Sequence, residues 1–182
     1  MKAGADEKMR LVGRLRDAQT LQELFELVKE LVWKHMRADQ AGLMVGLADL
    51  GISPEAVLGA FYSPDANTIV MNKTVMNHVK KLADPMLFNS YCFYILLHEY
   101  LHSCGFYDEN ENRQVVAAIA AQELGPDHAV TKLATTNDAM LKLIREGIMS
   151  SKGASDNLSA AAEMTGIEFV EGIDRRNTNY IS

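Results

Sequence analysis

The sequence predicts an α+β domain: a small twisted sheet packed with helices around one central, buried helix. Three observations predict it. Residues 20–36 repeat apolar side chains at helical spacing. Residues 57–62 and 68–72 read as two strands around the turn-rich segment SPDAN. Residues 84–105 are apolar nearly all round, as befits a helix surrounded by other elements.

The chain has 182 residues, enough for one domain with a real core. Apolar residues make up 48% and charged residues 23%, the balance of an ordinary globular protein. The start, MKAGADEKMR, is charged and lacks the apolar core of a signal sequence, so a cytoplasmic protein is expected. In residues 20–36, Leu21, Leu24, Phe25, Val28, Leu31, Val32 and Met36 form one stripe, with His35 beside it as a structural histidine. Residues 41–50 suit a strand or a helix, and Ser53-Pro54-Glu55 offers a helix start. The strands 57–62 and 68–72 are expected to pair as a β-hairpin. A helix follows on Val75, Met76, Val79 and Leu82, with His78 off the stripe and solvated.

The central helix has Asp84 as N-cap, Pro85 at its first position and Gly105 just past its end. A second helix over 109–125 is stopped by Gly125-Pro126, and one or two short helices are expected in 127–149. The main domain is assigned to residues 1–149, and a linker and C-terminal tail packing on the same domain to 150–182. Within that tail, 150–157 reads as linker, 158–164 as a helical turn or two, and 167–170 as a short strand.

Several function classes drop out. No run of 18 apolar residues exists, so no membrane partner is expected. The net charge is −6, the pI about 5.4, and no basic stripe appears, which argues against nucleic acid. Cys92 and Cys104 lie on one helix. Twelve helical residues span about 18 Å, too far for a disulfide. Both are expected to be reduced thiols.

The chemistry concentrates in His98-Glu99-Tyr100-Leu101-His102. Four residues of helix turn through about 400°, so the two histidines share a face and can hold one zinc ion. Glu99 is rotated by roughly 100° and suits a general base acting on water. Solvated histidines are the bland alternative, but they fit poorly in so apolar a helix.

This five-residue motif resembles the active-site helix of the zincin metallopeptidases, and the resemblance covers about residues 57–108. It implies a helix following a small sheet, with a peptide or protein substrate pairing to the edge strand. The spacing His98, Glu99, His102, Gly105, Asp108 is metzincin-like, with Asp where histidine is usual. As a whole the chain is similar to small archaeal HExxH proteins.

A catalytic zinc needs a third protein ligand. In the metzincin-like reading Gly105 turns the chain and Asp108 supplies it; a gluzincin-like reading points to Glu123. Glu123 would lie about 20 Å along the second helix, beyond easy reach of the metal. Asp108 is therefore preferred, with Glu109, Glu111, Glu123 and His128 as alternatives and a helix cap as its non-metal role. Tyr62, Tyr107 and His128 are possible partners for a substrate carbonyl.

The expected function is a zinc metallopeptidase with one Zn2+ per chain, held by His98, His102 and Asp108, and with Glu99 as base. Two rivals stand beside it. One is a non-catalytic zinc protein closed by a fourth ligand, such as Glu109 or His128. The other is a latent enzyme covered by residues 158–182, although a plain terminal strand suits that tail better.

Overall fold

A computed structural model describes residues 2–52, 57–82, 84–136, 142, 143, 146 and 166–173. Among them the order is α1 (Lys2–Asp17), α2 (Leu21–Met36), β1 (Met44–Ala48), β2 (Ala60–Ser63), β3 (Thr68–Asn72), α3 (Lys73–Lys80), α4 (Pro85–Ser103), α5 (Glu109–Glu123), α6 (Ala129–Thr135) and β4 (Glu168–Phe169). The small sheet packed with helices is present, and its centre is α4. Every residue from Asn89 to Leu101 is buried. Helix α4 touches α1, α2, α3, α5, α6, β2 and β3, which explains why it has no polar face.

Local chemistry fixes the helix ends. Thr20 caps α2 by accepting from the Glu23 N–H at 3.1 Å. Asp84 accepts from Met86 and Leu87 N–H, with Pro85 at the first helical position as expected. Within the α2 stripe, Leu24, Phe25, Val28, Leu31 and Val32 are buried. The sequence reading assigned no helix to the first seventeen residues, yet α1 forms there. Its core-facing stripe is short, resting on Leu11 and Leu15, so periodicity gave little signal.

The sheet order is β2-β3-β1-β4. Strands β2 and β3 form the expected antiparallel hairpin, with Tyr62 opposite Ile69. The ambiguous 41–50 segment contributes β1, parallel to β3. The expected strand near 167–170 is β4, antiparallel to β1. Gly46 permits that pairing, because a Cβ there would run into the Ile167 side chain. The expected helix start at 53–55, the linker at 150–157, the turn at 158–164 and the domain boundary at 149–150 lie outside the described residues.

Both cysteines are free. His35 is the structural histidine expected, held at 2.7 Å from Glu123. His78 departs from the expectation of a solvated ring. It is half-buried, and Nδ1 donates to the Thr74 carbonyl one turn back at 2.7 Å. Among the described residues no helix is long and apolar enough to cross a membrane.

Candidate metal centre

Helix spacing stacks His98 and His102 on one face of α4, with ring centroids 4.7 Å apart. The helix then ends in a Schellman turn. Phe106 N–H donates to Leu101 O and Gly105 N–H to His102 O, each at 3.0 Å. Gly105 sits at φ 102°, where a side chain would be strained although space is open around it. The turn doubles the chain back, and it carries the Phe106 carbonyl to His102 Nδ1 at 2.7 Å. A carbonyl only accepts, so Nδ1 carries the proton and Nε2 presents its lone pair.

Helix α5 starts at once and brings a carboxylate to both rings. Glu109 Oε1 lies 3.1 Å from His102 Nε2, and Oε2 lies 3.3 Å from His98 Nε2. The two Nε2 atoms are 3.1 Å apart. His98, His102 and Glu109 thus form a group able to hold a metal ion. The two histidines are where the sequence placed them; the carboxylate is not the one it preferred.

Asp108 is turned to another task. Its Oδ1 accepts from Glu111 N–H at 2.8 Å, which makes it the N-cap of α5. The preferred Asp108 therefore does not join the histidines here: the capping bond holds its carboxylate to the helix start, and the next residue, Glu109, faces the two rings. The pattern Asp108-x-x-Glu111 is a helix-start signature that could have pointed to Asp108 as a cap beforehand. Glu111 stays outside the group.

Glu123 is buried and occupied elsewhere, by His35 and by Lys34 Nζ at 2.9 Å. Burial raises its pKa, but Lys34 and His35 outweigh that and hold it below the usual carboxylate range. His128 caps α6 through Nδ1, which accepts from Val130 N–H. Neither belongs to the group that could hold a metal, and no fourth His, Cys, Asp or Glu joins it among the described residues. Of the tail, residues 168–169 pair at the β1 edge, the opposite side of the sheet from β2.

Glu99 is 6% exposed. Burial, with Glu109 adding repulsion, pushes its pKa up to about 7, against a hydrogen bond from the Tyr62 backbone N–H. That bond sets the edge strand β2 against the site. The Tyr62 hydroxyl is already engaged, donating to Asn67 Oδ1 at 3.2 Å, so it is not aimed at a substrate carbonyl. Tyr107 is exposed. His98 is 9% exposed and its pKa is lowered, first by burial and then by His102 and Arg113, against the pull of Glu109. A neutral imidazole is the form that binds metal.

One residue at this centre was not foreseen at all. Asn112 is fully buried, and its Nδ2 donates to the His98 carbonyl at 3.0 Å. A polar residue in register with Val116, Ile119 and Ala120 on a buried helix face was the available signal. Comparison of the chain with protein-family models, curated proteins and solved structures finds no match.

Proposed function

We propose that the protein is a zinc-dependent hydrolase of peptide bonds, with His98, His102 and Glu109 holding the metal and Glu99 acting as general base. The observation that carries this reading is the convergence of His98, His102 and Glu109 on one point. A tetrahedral ion with ligands at 2.0–2.1 Å separates them by about 3.3–3.4 Å. Here the two Nε2 atoms are 3.1 Å apart, and the Glu109 carboxylate meets them with different oxygens, Oε1 at 3.1 Å from His102 and Oε2 at 3.3 Å from His98. The donor set, two neutral imidazoles and a carboxylate, is one that zinc accepts in catalytic sites.

A zinc ion there would supply a Lewis acid that lowers the pKa of water towards 7 and polarises a carbonyl. The chain supplies the rest. Glu99 sits beside His98 but outside the ligand group, so its carboxylate is available to take a proton from water and give it to the leaving amine. Strand β2 abuts Glu99 through Tyr62, so an extended peptide could align alongside it by strand addition.

The test combines metal content with cleavage. Purified protein should bind about one zinc per chain, as a three-ligand site requires. Glu99→Gln should keep the zinc and lose at least a hundredfold in peptide cleavage. Chelation should abolish cleavage and zinc should restore it. Zinc-loaded protein that leaves casein and a mixed peptide pool intact would refute the peptidase reading.

A further inference from the structure

Asn112 has an environment that folding alone does not explain. It lies 0% exposed on the buried face of α5, among Val116, Ile119 and Ala120. Burying an amide there is costly, and an apolar side chain would pack without that cost. Its Nδ2 donates to His98 O at 3.0 Å and to Phe106 O at 3.4 Å. Both neighbours are carbonyls, which fixes the amide orientation. Its Oδ1 is buried without a hydrogen-bond partner. A bare buried acceptor costs about 1–3 kcal/mol, so the residue is tolerated at some expense to stability.

The two carbonyls are the telling feature. One belongs to the backbone of His98. The other is the carbonyl that accepts from His102 Nδ1 and so sets the tautomer and orientation of that ring. Asn112 also stands one helical turn after Glu109, and its backbone N–H donates to Asp108 O at 2.8 Å. A single amide therefore connects the supports of all three ligands across α4, the turn and α5. We infer that Asn112 is a positioning residue of the metal centre: its amide locks α5 onto the His98 and Phe106 carbonyls so that three ligand atoms converge. The inference rests on the metal site proposed above. Outer-shell partners of this kind are worth about 10–100-fold in metal affinity.

The experiment uses the full chain, with Asn112→Leu and Asn112→Ala beside the wild type. Zn2+ affinity is measured by competition with a chelating dye, the site geometry by the visible spectrum of the Co2+-loaded protein, and the fold by the Tm of the metal-free protein. Asn112→Leu is expected to bind zinc about 10–100-fold more weakly and to alter the Co2+ bands. Its metal-free Tm should stay close to wild type, because losing the two donations to carbonyls is offset by removing the bare acceptor. Wild-type zinc affinity and Co2+ spectrum in either folded variant would overturn the inference. So would loss of the fold in both variants, which would assign Asn112 to folding. A wild-type protein that takes up no zinc would instead refute the site itself, an outcome separable from the first.

Discussion

At the scale of the residue, neighbours in sequence do different work. Asp108 caps α5 while Glu109 faces the histidines. Asp108→Ala should cost about 1 kcal/mol of stability, the usual price of an N-cap, and leave zinc uptake nearly intact. Glu109→Ala should do the reverse, with zinc affinity falling by at least tenfold in dye competition. Zinc lost from Asp108→Ala and kept by Glu109→Ala would return the ligand role to Asp108. Glu99 makes a separate prediction about pH. Its folded pKa of about 7 lies above the ordinary 4.5, so the stability linked to its protonated form is complete below pH 4.5 and is lost as pH rises through about 7. The full loss is roughly 3 kcal/mol. His98 runs the other way: its lowered pKa favours the folded state above 6.5 and is lost in acid. The two trends oppose each other in the wild type, so the readout is a difference. Metal-free Glu99→Gln should be more stable than wild type at pH 8 by urea unfolding, with the gap closing below pH 4.5. An equal gap at both values would mean Glu99 is not held protonated by its surroundings.

At the scale of the element, what the sequence made legible follows the strength of its periodicity. The α2 stripe and the all-apolar α4 were plain, because many buried side chains repeat at one spacing. The histidine pair was plain because four residues always return to the same helix face. Helix α1 was not, since it docks through few apolar groups and leans on polar ones. Asn89 of α4 shows how: its Nδ2 lies 3.0 Å from Leu15 O, 3.3 Å from Arg16 O and 2.9 Å from Ala18 O, covering the carbonyls at the end of α1. A contact between residues so distant in the chain leaves no local pattern to read. The carboxylate beside the histidines was half legible, because the reach argument kept Glu123 apart from them but could not tell a capping Asp108 from the clustered Glu109 one residue on. Asn89→Ala should leave those carbonyls uncovered, at a cost of about 1–3 kcal/mol. Amide hydrogen exchange should speed up in α1 more than in α5. Uniform change across the chain would show that α1 is not separately latched by Asn89.

At the scale of the whole molecule, the proposed metal would bridge the C-terminal half of α4 to the start of α5, closing the turn around Gly105. Binding confined to the folded state stabilises it by about 2.7 kcal/mol when free zinc is a hundredfold above Kd. For a chain of this size that is a rise in Tm of roughly 5–10 °C. Removing zinc with a chelator should reverse it, and Glu109→Ala should show almost none of it. A Tm indifferent to zinc would count against a site that ties the two helices together.

The pairing of β1 with β4 has a consequence in time. Val170 N–H donates to Val45 O, joining segments made at very different moments of synthesis. Strand β1 leaves the ribosome early, and β3 can cover only one of its sides. Until the 166–173 segment arrives, the other side is an open row of backbone donors and acceptors beside buried Val45 and Ala48. Gly46 leaves room there for the close approach of the Ile167 side chain. The nascent chain therefore carries a temporary adhesive edge, and the late strand that completes the fold is also what retires the hazard of pairing with a neighbouring copy.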